Sequence, residues 1–277
     1  MRSDAVTAAA ETPGMMGVSC LELQDVSCGY DGAPVLEHVS FTVQPGQVCC
    51  VLGRNGVGKT TLFSSILRTL PLITGRVLIG GEDASVLAPA QLAKRVAYVP
   101  QAHTPPFPFS VADVVILGRT PYINTLTHEN AHDRDIAYKA LETLGIQDLA
   151  HEVYTELSGG QQQLVLIARA LAQQPDVLIM DEPTASLDFG NQQVVLSQMK
   201  NLVAGGMSVL MVTHDPNHAF YCADWVVAMQ AGRVVQVGTP QEVVTTEMLE
   251  RLYSAQVEVK RVHIDKIDDD RSVAISL

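Results

Sequence analysis

The sequence predicts an α/β fold built on a largely parallel sheet, and three observations carry that expectation. Short apolar runs of strand length alternate with stretches of helical periodicity. Val48–Leu52 (VCCVL) is apolar throughout, as a strand covered on both faces requires. It leads into a glycine-rich loop and then a segment whose Leu62, Phe63, Ile66, Leu67 and Leu70 form one apolar stripe.

Taken in order, residues 1–18 read as a flexible N-terminal tail. Residues 20–43 alternate in LELQDVSCGY and VLEHVSFTV around a turn at Asp31-Gly32, which predicts an antiparallel β layer beside the main sheet. Arg95–Val99, Val177–Met180, Val209–Val212 and Trp225–Met229 are further strands. Residues 103–157 lack a strong strand and carry helical spacing through Ile136, Ala140, Leu141 and Leu144, as in an inserted helical subdomain. Thr239-Pro240-Gln241-Glu242 is a capping box with proline in the first turn, so a helix starts there. The last stretch, with Asp268-Asp269-Asp270, reads as a solvated tail. The expected divisions are a tail (1–18), a first core part (19–102), the helical subdomain (103–157), a second core part (158–240) and a C-terminal extension (241–277).

Bulk properties narrow the classes. With 277 residues, 47% of them apolar and 17% charged, the chain is long and apolar enough for a buried core. A net charge of -12 argues against nucleic acid as a partner and against direct adhesion to anionic lipid. No segment reaches the ~18 apolar residues of a membrane span. Asp4 and Glu11 interrupt any signal-peptide pattern at the N-terminus. The five cysteines form no CxxC and are odd in number, so neither a zinc site nor a disulfide framework is expected. Cys49 and Cys50 read as small core residues, and the expected compartment is a reducing one, the cytoplasm.

The loop after the first strand is Gly53-Arg54-Asn55-Gly56-Val57-Gly58-Lys59-Thr60, which fits G-x-x-x-x-G-K-[ST]. Gly53, Asn55, Gly56 and Gly58 let successive amides converge on anionic oxygens, and the following helix N-terminus adds its positive end. Lys59 supplies a compact charge for the terminal phosphates. The Thr60 hydroxyl, with Thr61 beside it, faces a phosphate-bound Mg²⁺. By itself this pattern says nucleoside triphosphate and leaves GTPases, kinases and transporters open.

Further motifs carry a resemblance. Leu157-Ser158-Gly159-Gly160-Gln161 couples a capping box to a second exposed helix N-terminus. Val177-Leu178-Ile179-Met180-Asp181-Glu182-Pro183 ends an apolar strand in two carboxylates. Ser186-Leu187-Asp188, Gln101 after Val99-Pro100, His214 after Val212-Thr213, and Tyr30 upstream complete the series. In this order the chain resembles the nucleotide-binding domain of ABC ATPases over roughly residues 20–240. That resemblance implies a P-loop NTPase (RecA-like) core with an antiparallel β layer and an inserted helical subdomain. It also implies ATP and Mg²⁺ as cofactors. Asp181, Thr60 and Gln101 would then hold the cation. Glu182 would be the general base, with His214, Gln101 and Lys59 assisting, and Tyr30 would stack on adenine. Ser158, Gly160 and Asp188 would act across a dimer seam.

The assembly implied is a head-to-tail dimer of two copies sandwiching two ATP molecules. Separate many-span permease subunits would be received by the 101–122 region, and an external substrate-binding protein would act indirectly. The location implied is the cytoplasmic face of the inner membrane. Phe109 to Tyr122, with Gly118-Arg119-Thr120-Pro121-Tyr122, and Leu187-Asp188-Phe189-Gly190-Asn191-Gln192 are similar to ATPases of importers for iron–siderophore, haem and cobalamin. Arg119 stands out there as a probe of permease contact. Molybdate or tungstate importers share these features, and exporters and non-transport ABC ATPases are the alternatives.

Overall fold

The computed structural model describes residues 18–101, 108–123, 128–185, 187–266 and 268–277. The expected tail falls outside these residues except for Val18, as does Ser186. In chain order the strands are β1 (Leu21–Tyr30), β2 (Ala33–Val43), β3 (Val48–Leu52), β4 (Leu72–Ile79), β5 (Glu82–Asp83), β6 (Val96–Val99), β7 (Val177–Asp181), β8 (Ser208–Thr213), β9 (Trp225–Gln230), β10 (Arg233–Gly238), β11 (Val257–Ile264) and β12 (Asp269–Ser276). The helices are α1 (Lys59–Ile66), α2 (Pro89–Arg95), α3 (Val111–Ile116), α4 (Ala131–Thr143), α5 (Gly159–Ala172), α6 (Phe189–Ala204), α7 (Pro216–Cys222), α8 (Pro240–Val243) and α9 (Thr246–Tyr253).

The main sheet has the order β10-β9-β3-β8-β7-β6, parallel from β9 to β6, with β10 antiparallel at its edge. An antiparallel sheet of order β2-β1-β4-β5 lies beside it, as expected, with β4 and β5 added to the predicted pair. Strand β3 divides two cores. Cys49 and Val51 pack with Leu62, Phe63 and Ile66 of α1 and with the antiparallel sheet. Val48, Cys50 and Leu52 face α5 and α6. Burial on both faces is why β3 is apolar at every position. All five cysteines are buried, as small core residues are.

Helix α5 packs against α3 and α4 on one side and α6 on the other, so the helical region and the sheet share one apolar cluster. Ser110 and Asn130 cap α3 and α4, each accepting an amide hydrogen bond at 3.1 Å. Asp113 and Asp133 answer toward the cap amides.

Three expectations need correction. The α1 stripe is shorter than read: the helix ends at Ile66, and Leu67 caps it. Arg68 adopts φ 58°, and the amides of Thr69 and Leu70 close back on the Ser64 carbonyl, so Leu70 lies beyond the helix. The C-terminal stretch is no solvated tail but a hairpin of β11 and β12. Val257, Val259 and Ala274 pack on the core, and Asn217 exchanges two hydrogen bonds with the Ala274 backbone. The aspartates lie at the hairpin turn, where Asp270 meets His263 at 3.0 Å and Asp269 meets Arg271 at 2.8 Å.

The third correction concerns Arg119. It sits in a 3₁₀ segment, Leu117–Tyr122, and is only 3% exposed. Its guanidinium pairs with Asp133 at 3.0 Å and donates to Ala172 O at 2.8 Å and Gln174 Oε1 at 3.0 Å. The Tyr122 ring lies 3.8 Å from it. Arg119 therefore fastens the 3₁₀ segment to α4 and α5 and is not a surface probe. Gly118 next to it is obligatory, because a Cβ there would meet Arg169 O at 2.0 Å.

Candidate active site

Parallel pairing brings the chemistry together. Leu52 of β3 pairs with Thr213 of β8, and Asp181 of β7 pairs with Val212 of β8. The residues just past these strand ends are Gly53, His214 and Glu182, and Gln101 follows β6 two residues on. Four neighbouring strands thus deliver their C-terminal residues to one edge of the sheet, where ligands bind in open α/β sheets.

A cleft of about 330 Å³ opens at that edge, lined by Asn55, Gly56, Gly58, Lys59, Thr60, Thr61, Gln101, Asp181, Glu182 and Val35. Gly58 caps α1 at φ 106°, and a Cβ there would strike Leu36 Cδ2 at 2.4 Å. Only glycine fits both conditions. No side chain caps α1, so its first amides are left to a ligand.

Lys59 is 6% exposed and folds back on the loop. Its Nζ donates to Gly53 O at 2.6 Å and Arg54 O at 3.1 Å. Burial lowers the Lys59 pKa, while the Glu182 and Asp181 charges pull it upward. Burial likewise raises the Asp181 carboxyl above the ordinary range, and a hydrogen bond from Tyr98 works against that rise. Tyr98 Oη donates to Asp181 Oδ2 at 3.3 Å, and Thr60 Oγ1 donates to the same oxygen at 3.5 Å. Burial, with the Asp181 charge second, pushes the Tyr98 phenol up to about 12, so it stays a donor at any working pH.

Glu182 adopts φ 45°, which turns the chain sharply at the end of β7 while its amide donates to Val212 O at 3.1 Å. A left-handed glutamate at a strand terminus is the kind of strain found at functional sites. Its Oε2 lies 3.3 Å from His214 Nδ1. Glu182 is 14% exposed and His214 53%, so the carboxylate is sheltered and the imidazole is open.

The structure therefore gathers Gly53, Asn55, Gly56, Gly58, Lys59, Thr60, Thr61, Gln101, Asp181, Glu182 and His214. Four expected residues do not line this cleft. Tyr30 stands 55% exposed at the end of β1. Ser158 caps α5, exchanging hydrogen bonds with Gln161. Gly160 lies against Asn191, where a Cβ would come within 2.4 Å of its side chain. Asp188 caps α6 through the Asn191 amide at 2.8 Å. Sequence reasoning missed Tyr98 as a partner of Asp181; an aromatic on a buried strand next to the carboxylate strand is the signal that could have found it. It also missed Asn191, which joins the Asp188 cap to the Gly160 turn.

Residues 36–185 match the ABC transporter domain. The chain belongs to the ABC transporter ATP-binding family. An uncharacterised ABC transporter ATP-binding protein of Haemophilus influenzae is 40% identical over 248 residues, covering 90% of this chain and 94% of that protein. The hemin import ATP-binding protein HmuV of Nocardia farcinica is 38% identical over 225 residues, 81% of this chain and 77% of that protein. Among solved structures, an inward-facing metal-chelate type ABC transporter superposes with a TM-score of 0.84 at 30% identity, over 94% of this chain and 98% of that one. As an ABC ATPase subunit the chain binds ATP and hydrolyses it to power transport. Among the described residues no helix is long and apolar enough to cross a membrane.

Proposed function

We propose that this ABC ATPase drives import of a metal chelate of the hemin or iron–siderophore class. It works as one half of a nucleotide-sandwich dimer at the cytoplasmic face of the inner membrane. The observation that carries the reading is the likeness to the Nocardia hemin importer ATPase across most of both chains. The Gly118-Arg119-Thr120-Pro121-Tyr122 segment supports it, because Arg119 builds that segment into the helical face on which a permease would rest.

Each site residue has a task that follows from its surroundings. Lys59 would exchange its two carbonyl partners for the terminal phosphates, helped by the uncapped amides of α1. Thr60 Oγ1 and Asp181 Oδ2 are hard oxygen donors 3.5 Å apart, a pairing that fits Mg²⁺ with phosphate and water completing its shell. Gln101 lines the same cleft and would share that cation. Bound there, the ion would neutralise charge on the phosphate oxygens. Glu182 would take a proton from water as its oxygen attacks the γ-phosphorus. The bond from that phosphorus to the bridging oxygen of ADP then breaks, and the proton passes on to phosphate. His214 would hold Glu182 and the attacking water in register. Tyr30 would stack on the adenine.

Ser158 and Gly160 line no phosphate site of their own chain, which is what a second copy supplying the complementary site requires. Asp188, capping α6 beside them, would fix that seam.

The test is reconstitution. The chain and its permease in proteoliposomes should take up hemin or a ferric siderophore only with ATP inside on the ATPase side. Uptake of molybdate instead, or ATPase activity indifferent to the permease and every chelate, would overturn the reading.

A further inference from the structure

Behind the Glu182–His214 contact lies a buried polar network that the hydrolytic mechanism does not use. His218, in α7, is buried, and so are Thr184 and Thr213. Thr184 follows Glu182 by two residues, and Thr213 is the residue before His214. Both hydroxyls converge on one ring nitrogen. Thr213 Oγ1 stands 2.9 Å from His218 Nδ1, and Thr184 Oγ1 stands 3.5 Å from it. One imidazole thus faces both the turn after β7 and the turn after β8.

The surroundings fix the ring's proton. Nε2 lies 3.5 Å from Asp215 Oδ2, a carboxylate oxygen that can only accept, so Nε2 carries the hydrogen. Burial lowers the His218 pKa more than the Asp215 charge raises it, which keeps the ring neutral and Nδ1 an acceptor. Thr213 Oγ1 accepts from the Asp215 amide at 3.1 Å and donates its own proton to Nδ1. The two side chains in front of this network need such a hold. Glu182 keeps a left-handed backbone, which persists only where its surroundings enforce it. His214 is exposed, and its one side-chain hydrogen bond among the described residues is to Glu182. The Thr184 carbonyl also accepts from the Leu187 amide at 3.2 Å and from Gln192 Nε2 at 3.3 Å, so the Glu182 turn is fastened to α6 as well.

We propose that His218 is a positioning residue for hydrolysis, its Nδ1 holding the Thr213 and Thr184 hydroxyls so that His214 and Glu182 meet at the distance their shared work on water requires. It lines no part of the phosphate cleft and acts only through those two turns. The proposal rests on the roles given above to Glu182 and His214 and adds what holds them. It does not depend on which chelate is carried.

The test is the steady-state MgATPase activity of the full chain, with kcat and KM for ATP read separately. Leucine nearly matches the bulk of histidine but has no acceptor, whereas asparagine is smaller and puts its Oδ1 where Nδ1 stands. A packing role ranks leucine above asparagine, and a positioning role ranks them the other way. His218→Leu should lower kcat roughly three- to ten-fold with KM for ATP unchanged, and His218→Asn should restore most of it. Thr213→Val should reproduce the loss and add little on top of His218→Leu. Wild-type kcat in His218→Leu overturns the proposal, as does a loss confined to KM or an asparagine variant no better than leucine. Glu182→Gln, run in parallel, separates the two levels. Normal hydrolysis in that variant overturns the reading on which the proposal rests. An inactive Glu182→Gln beside a fully active His218→Leu overturns the positioning role alone. Should His218→Leu fail to fold, Thr213→Val decides: an unchanged kcat there overturns the proposal.

Discussion

Tyr98 and Asp181, on adjacent strands β6 and β7, share a hydrogen bond of 3.3 Å from phenol to carboxylate. The contact ties the strand that leads to Gln101 to the strand that ends in Asp181 and Glu182. It also sets a pH dependence. Burial raises the Asp181 pKa and the phenol holds it down.

Removing the phenol in Tyr98→Phe therefore raises the Asp181 pKa further. Asp181 must be ionised to hold a cation, so the acid limb of the ATPase pH profile should move to higher pH. A hydrogen bond to a charged acceptor is worth about 1.5–3 kcal/mol when sheltered, and Asp181 is only partly so. The expected loss is on the order of three- to ten-fold at pH 6 and smaller at pH 8.5. A uniform loss at all pH values would show that the phenol does not act on the Asp181 proton.

Glu182→Gln keeps the size of the side chain and removes the carboxylate proposed as the base. General-base catalysis contributes roughly 10²- to 10⁴-fold, so turnover should fall by at least about a hundred-fold. ATP affinity should be retained and the ATP-bound dimer should persist on size-exclusion chromatography. Steady-state hydrolysis at the normal rate would remove Glu182 from the mechanism.

His214→Ala should give a similar direction with a smaller loss, because in the proposed mechanism the imidazole acts partly through its 3.3 Å contact with Glu182. Combined with Glu182→Gln it should add little, since residues that act as a unit are not additive. Two full and multiplicative losses in single-turnover assays would separate their roles.

A Ser158→Arg subunit and a Lys59→Ala subunit should each be inactive alone. Mixed, they should regain part of the activity, because one of the two composite sites is then intact. Normal hydrolysis by either single variant would refute action in trans.

Arg119→Ala should act on folding rather than on transport coupling. It leaves Asp133 buried without its partner, and breaking such a pair costs about 3–5 kcal/mol. Chemical denaturation should show a lower midpoint before any change in KM for ATP. A variant of normal stability would contradict the buried-pair assignment.

The motifs were legible because each is local. A glycine-rich loop between an apolar strand and an apolar-striped helix fixes its own geometry, since the phosphate-facing amides and Lys59 come from a single turn of chain. Ser158 with Gln161 and Thr239 with Glu242 announce helix starts by the same short-range hydrogen bonding, and both capping boxes form. The helical stripe of α1 was overextended because periodicity carries no signal for Arg68 leaving the helix at φ 58°. The C-terminal hairpin was hidden by its acidic turn, which outweighed the alternation of Val257, Val259, Val273 and Ile275.

Arg119 shows the other limit. In the sequence it is a charge on a loop; in the fold it is buried between Asp133, Ala172 and Gln174, far apart along the chain. Tyr98 over Asp181 and the meeting of Glu182 with His214 are equally nonlocal.

The sequence alone determined the nucleotide loop, the paired carboxylates and the helix caps, because each is specified within a few residues by backbone freedom and short-range hydrogen bonding. Only the tertiary structure decided which charges are spent and which are free. That depends on the register of parallel strands and on how α5 packs, and a buried charge takes its meaning from neighbours that the chain order does not name.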